Sequence, residues 1–264
     1  MKSTASISPR RSPPLALGVS RGTKWPLLLL TAALAQAATT EETLGRLLDP
    51  ALTTAQRNDA CYALRDNREP EVNTAMRRVL SSEIVRSCAA RHLREAGAID
   101  ELKDALAQDD ADIKIVALRE MGILRHPALI PLIAQAGLDA NALVATNAVD
   151  ALAQYNDRQV LPHLITIAKA GRMAGATALA RAAAFSDPTV VQVARQYLAG
   201  DDVAAQVIAI RVLGDHGDKT DLARLRPIAL HAEALPSQGR GFGLMPSIDL
   251  GKVAKNAIRQ IEAR

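Results

Sequence analysis

The sequence predicts an all-α fold: a right-handed α-solenoid, or α-α superhelix, of about six helical hairpins plus a terminal half-repeat. Three observations predict it. A helix signature recurs about every 30 residues, turn-forming residues separate paired helices, and the apolar content is aliphatic, with 48% hydrophobic but only 2% aromatic residues. A fixed period of this size is typical of repeat proteins, in which each unit buries its apolar face against its neighbours.

The signature is a start residue followed by small or apolar residues three, four and seven positions later. Clear copies start at Arg57, Arg86, Lys114, Ala145 and Gln206, and a blurred copy lies near residues 174–176. We number these six units in chain order, and call the first and second helix of each unit its A and B helix.

The three signature positions share one face of a helix, so we expect them in the core. In unit three they are Ala117, Leu118 and Met121. The fifth position is predicted to face solvent. It holds Tyr62, Arg91, Arg119, Asp150 and Arg211.

Helix boundaries follow from turn and capping residues. The predicted helices are 112–124 and 128–136 in unit three, and 142–154 and 158–170 in unit four. Asp109-Asp110 and Asp201-Asp202 are predicted to cap A helices. Prolines are predicted in the first turn of B helices, where a missing N–H costs little. They are Pro131, Pro162 and Pro227.

Departures from the repeat lie in unit five and at both ends. Residues 174–184 are nearly all alanine, which predicts a slimmer, looser unit or a local change of curvature. Thr39 and Glu42 suggest a capping box for a short first helix through Leu48. Residues 252–263 repeat the A-helix pattern 48 residues after the previous start. The excess over one period predicts an inserted loop at 231–250.

Two segments, Val85-Arg86-x-x-Ala89-Ala90-x-x-Leu93 and 207–215, resemble the HEAT family. The likeness is to its short bacterial repeats of about 30 residues, first described in phycobilin lyases. It covers most of residues 40–264 and implies an armadillo-like helical solenoid with the B helices on the concave face. This resemblance implies a shape and no shared active site.

Residues 1–37 have the pattern of a secretion signal. Five basic residues precede a short apolar run at 26–35, and small residues follow up to Ala37. We expect Sec-type export to the periplasm, cleavage near Ala37 and a repeat domain at 38–264. A translation start near Val19 would explain the long basic lead. Arg10-Arg11 suggests the twin-arginine route, but its surroundings favour an ordinary signal. The run is shorter than the ~20 residues of a membrane span, so we expect no transmembrane span in the mature chain.

The charge of the remaining chain bears on its partners. The formal net charge of +4 includes those five basic residues; without them, 27 Lys and Arg face 28 Asp and Glu. A near-neutral chain with few aromatic residues is not expected to bind nucleic acid. The sequence contains no catalytic constellation or metal-ligand spacing that we recognise, so we expect neither enzyme activity nor a cofactor.

Two surfaces are candidates for partner binding. In the inserted loop, Arg240, Phe242, Leu244 and Met245 would form a contact patch, or would fold back and close the core. The second candidate is a cationic track on the B helices, with a mixed-charge surface as the favoured alternative because Glu101, Asp104 and Asp221 interrupt it. We call its members the B-helix cations. They are Arg77, Arg78, Lys103, His163, Lys169, Arg195, Arg224 and Arg226.

The two cysteines, Cys61 and Cys88, fall on the A helices of adjacent units. Export would permit a disulfide between them. Two buried thiols are the equal alternative, because helix axes 8–10 Å apart are marginal for a bridge.

These observations predict a non-enzymatic exported scaffold that binds a protein or peptide through its concave face, its C-terminal loop or both. The alternative is an accessory subunit, or a lyase-like protein that handles a cofactor for a periplasmic enzyme.

Overall fold

The computed structural model describes residues 39–231 and 249–264. The predicted signal and nearly all of the inserted loop lie outside these ranges. Residues Thr40–Arg264 belong to one compact unit. Its described part contains α-helices and short 3-10 turns and no strand, which confirms the all-α class.

Fourteen α-helices are present in the described ranges. They are α1 (Thr40–Leu48), α2 (Thr54–Ala63), α3 (Pro70–Arg78), α4 (Arg86–Glu95), α5 (Ile99–Leu106), α6 (Ala111–Leu124), α7 (Ile130–Ala136), α8 (Ala142–Gln154), α9 (Leu161–Lys169), α10 (Gly175–Ala182), α11 (Pro188–Leu198), α12 (Val203–His216), α13 (Leu222–His231) and α14 (Leu250–Glu262). The 3-10 turns are Val79–Ser81, Pro127–Leu129, Arg158–Val160, Ala183–Phe185 and Lys219–Asp221.

The helices pack in two series. The A helices, from α2 through the even-numbered helices to α14, each contact the next member of their series. Among the other helices, α1 contacts α3, α3 contacts α5, and α9 contacts both α7 and α11. Each hairpin is therefore packed against its neighbour in the chain.

The core contains the residues that the signature predicts. Ala117, Leu118 and Met121 are buried, as are the corresponding residues of unit six. Small residues bring the A helices close together: a Cβ added at Gly122 of α6 would lie 2.8 Å from the Cα of Ala151 in α8. At the fifth position the four side chains other than Asp150 are exposed, and Asp150 is half-buried.

The polar start residue of the signature has a structural role in three units. The Nε of Arg57 donates to the carbonyl of Leu47 at 3.1 Å, and that of Arg86 donates to the carbonyl of Leu80 at 2.8 Å. In unit six, the Nε2 of Gln206 donates to the carbonyl of Gly200 at 2.6 Å. These side chains donate to carbonyl groups in or just beyond the last turn of the preceding helix. Such carbonyl groups have no hydrogen-bond partner within that helix.

Aspartate caps two of the A helices as predicted, and an asparagine that was not predicted caps a third. Asp110 accepts from the backbone N–H groups of the second and third residues of α6, and Asp202 does the same for α12. Asn141 occupies the same place before α8. Each cap satisfies N–H groups that lack an intrahelical acceptor.

Two details of the B helices differ from the predictions. In units three and four the B helix begins with a 3-10 turn, and Pro131 and Pro162 lie in the first turn of the α-helix that follows. The prediction for Pro227 is wrong, because this residue lies inside α13. Asp218 caps the preceding 3-10 turn, which places the helix start well before the proline.

Unit five has a short A helix, and both ends of the repeat domain have the helices that the sequence predicts. Helix α10 has only eight residues, and Gly175 at its start lies against the hydroxyl of Tyr197 from α11. That hydroxyl donates to the carbonyl of Ala168 at 2.8 Å, so the slim helix makes room for a contact between B helices. The short first helix is present as α1 and the terminal half-repeat as α14.

Candidate partner-binding surfaces

Most of the B-helix cations are paired with carboxylates of the same chain. Arg77 lies 3.7 Å from Asp104, and Lys103 lies 3.0 Å from Asp100. Arg195 and Arg224 both contact Asp221. Arg226 also forms an ion pair, with Glu262. These pairs favour the mixed-charge interpretation of the surface over a continuous cationic track.

Arg195, one of the predicted partner-binding residues, forms a two-pronged contact with Asp221. Its Nε lies 2.7 Å from Oδ1 and its Nη2 lies 2.9 Å from Oδ2 of this fully buried carboxylate. These hydrogen bonds raise the pKa of the Arg195 guanidinium. A buried carboxylate needs such charge-assisted bonds, so Arg195 ties α11 to the start of the next B helix.

Arg224 lies at the edge of the same cluster, with its Nη1 3.5 Å from Asp221 Oδ1. The Arg224 side chain is half-exposed, and its Nε and Nη2 donors take no part in this contact. Partner binding by Arg195 and Arg224 stays a prediction, and of the two Arg224 is the more accessible.

A groove of about 440 Å³ opens beside this cluster, where the start of α11 faces the end of α12. The C-terminal Arg264 closes one side by donating to the carbonyls of Gly214 and Asp215. Hydrogen bonds from Thr220, followed by the charge of Arg195, lower the pKa of Asp218 on the opposite side. The groove is therefore an open polar surface suited to polar contacts with a partner.

The loop candidates Arg240, Phe242, Leu244 and Met245 lie outside the described residues. Their role stays a prediction.

The structure joins Cys61 of α2 to Cys88 of α4 by a disulfide, with the two Cα atoms 6.4 Å apart. This separation is within the usual range for a bridge. Cys61 is fully buried, and its sulfur lies 3.8 Å from that of Met76. The bridge is a covalent link between the A helices of units one and two.

His92 is the buried histidine of the described ranges. Its Nε2 lies 2.9 Å from Oδ1 of Asn73, while its Nδ1 has no hydrogen bond of normal geometry. Burial, and secondly the charge of Arg68, lower the pKa of His92, so the ring is neutral near pH 7. In residues 39–231 and 249–264, no group of three or more His, Cys, Asp or Glu side chains could hold a metal ion.

A row of exposed apolar side chains was missed by the sequence analysis. Leu143, Met173 and Val203 are 66%, 77% and 45% exposed. Leu143 is the second residue of α8, Met173 lies two residues before α10, and Val203 begins α12. Their spacing of 30 residues is visible in the sequence, but the repeat signature that predicts the fold describes only the positions that face the core.

The chain was compared with protein-family models and with curated proteins. Neither a family model nor a curated protein matches the chain. Among the described helices, none is long and apolar enough to cross a membrane. The resemblance to the HEAT family therefore stays a prediction from the sequence.

Proposed function

We propose that the chain is an exported, HEAT-like α-solenoid that acts as a non-enzymatic scaffold for a protein or peptide. The observation that carries the proposal is the packing of every A helix on the next one in the series. A stack of this kind repeats one surface along its length, which is how solenoid proteins build extended binding sites.

Polar contacts between successive units support a rigid scaffold. Arg94 of α4 lies 2.7 Å from Glu120 of α6, and Arg181 of α10 lies 2.7 Å from Asp150 of α8. The Tyr155 hydroxyl donates to a carbonyl of the preceding unit, that of His126, at 2.9 Å. A surface held in place before binding loses less conformational entropy when the partner arrives.

The B-helix surface and the C-terminal loop are the proposed contact regions. Because most B-helix cations are already paired, this surface suits a partner recognised by shape and local polar contacts more than a long acidic polymer. The loop would add Arg240 and Phe242 to the contact.

Export is supported by two independent features. The first 37 residues have the pattern of a cleavable signal. The Cys61–Cys88 disulfide is a bond that persists in oxidising compartments such as the periplasm.

Photo-crosslinking in intact cells tests the proposal. A photoreactive residue would replace the exposed Lys169 of α9 in one strain and Phe242 in another; Arg119, exposed on an A helix, is the matched control. We expect a discrete crosslinked protein from Lys169 or Phe242 in the periplasmic fraction, and none from Arg119. Absence of a crosslink at both test positions, or a cytoplasmic location of the chain, would refute the proposal.

A further inference from the structure

We infer that the row formed by Leu143, Met173 and Val203 binds an extended segment of a partner protein, apolar at its centre and basic on both sides. We call this row the A-helix edge. The inference rests on the scaffold function proposed above and names the chemistry of one partner segment.

The three side chains lie near the start of the A helix in three consecutive units. Each lies within two residues of the start of its A helix, and α10 contacts both α8 and α12. Packed helices lie about 8–10 Å apart, so the row extends over roughly 16–20 Å. A polyproline II segment has three residues per turn and adds ~3.1 Å per residue, so it places every third side chain on the same face, about 9 Å apart, which matches one helix-to-helix step.

The row differs from ordinary scattered apolar exposure. Single exposed apolar residues, such as Ile123 on α6, are normal on soluble proteins. Here the exposure recurs in three successive units. In unit three the second residue of the A helix, which is the place of Leu143 in unit four, is Asp112. It pairs with Arg86 at 3.3 Å, so the row does not continue into unit three.

Acidic residues lie at both ends of the row. Asp109 and Asp110 precede α6, one unit before Leu143, and Asp201 and Asp202 immediately precede Val203. All four are exposed, and they form no ion pair in the described part of the chain. The capping bonds of Asp110 and Asp202 use only one carboxylate oxygen each.

The charges between these two acidic pairs are largely occupied. Asp139 is held by Lys114 at 3.1 Å, and the Nη1 of Arg172 donates to the carbonyl of Leu138 at 2.7 Å. A complementary segment therefore carries Lys or Arg at both ends and apolar side chains between them. The acidic flanks would repel an anionic membrane, and they would meet each other in a symmetric pairing of two copies.

The acidic pairs set the length of the segment. They lie three units apart, about 24–30 Å, which an extended chain covers with roughly eight or nine residues. The probe is accordingly a labelled synthetic peptide of about nine residues, with lysines at its ends and leucine at every third position between them.

Fluorescence anisotropy with the full exported chain measures binding of this probe. We expect the double variant L143S/M173S to bind at least about tenfold more weakly, because two apolar contacts are lost. Both side chains are exposed, so the variant should fold, as circular dichroism would verify. The matched control Ile123→Ser removes an equally apolar, exposed side chain away from the row and should bind normally. A peptide with glutamate in place of lysine should not bind.

Either of two binding results would overturn the inference: no binding of the probe to the wild-type chain, or equal binding by wild type and L143S/M173S. A wild-type dimer that L143S/M173S converts to a monomer in analytical ultracentrifugation would also overturn it, by showing that a second copy covers the row. A failure of the scaffold function can be distinguished from a failure of this inference. If Lys169 or Phe242 crosslinks to a partner while the probe does not bind, the scaffold stands and the A-helix edge does not.

Discussion

At the scale of single residues, polar side chains in this protein mainly hold its own units together. Arg195, which the sequence predicts to bind a partner, is one example. Its position on a B helix is visible in the sequence, but its pairing with Asp221, 26 residues later, exists only after two hairpins have packed. The sequence shows that a charged residue lies on a surface helix. It does not show whether that charge is accessible to a partner, because a neighbouring unit can supply the opposite charge.

His92 gives a pH-dependent prediction. Its pKa is lowered in the folded chain, whereas the unfolded chain takes up the proton near pH 6.5. As the pH falls below about 6.5, the unfolded state binds more protons and the folded state loses stability, by at most ~1.4 kcal/mol for each pH unit. Above that range the contribution of His92 to stability is fully present. We therefore expect His92→Gln to weaken the loss of stability between pH 7.5 and pH 5.5.

Urea denaturation at the two pH values measures this effect. The matched control is His126→Gln, which makes the same replacement at a histidine that is exposed in a turn. An equal loss of stability on acidification in wild type and His92→Gln would contradict the account.

At the scale of helices, the close approach of A helices depends on glycine. Gly122→Ala would improve intrinsic helix propensity by up to about 1 kcal/mol. The new Cβ would, however, lie 2.8 Å from a backbone atom of α8, which cannot move away as a side chain could. We expect the clash to dominate, with a net loss of about 1–2 kcal/mol in the free energy of unfolding.

Gly45→Ala is the matched control, since Gly45 is an exposed residue of α1 with no atom within 4 Å of the added Cβ. It should gain up to about 1 kcal/mol. If both variants are stabilised equally in urea denaturation, the close packing of α6 on α8 is wrong.

The sequence predicts the helices better than it predicts the surfaces. The period, the buried positions such as Leu118 and the cap Asp202 follow from local rules that each unit repeats. The 3-10 starts of the B helices and the place of Pro227 do not, because they depend on how each turn is capped. The exposed row at Leu143 lies at the starts of A helices, outside the core positions that the repeat pattern describes.

At the scale of the whole molecule, we propose that successive hairpins of residues 40–264 stack into an elongated solenoid that presents a continuous surface. Small-angle X-ray scattering of residues 38–264 tests this proposal most directly. A globular chain of this length has a radius of gyration of about 17 Å. We predict a clearly larger value and a distance distribution with the long tail of an elongated particle. A radius of gyration near 17 Å with a symmetric distribution would contradict the claim.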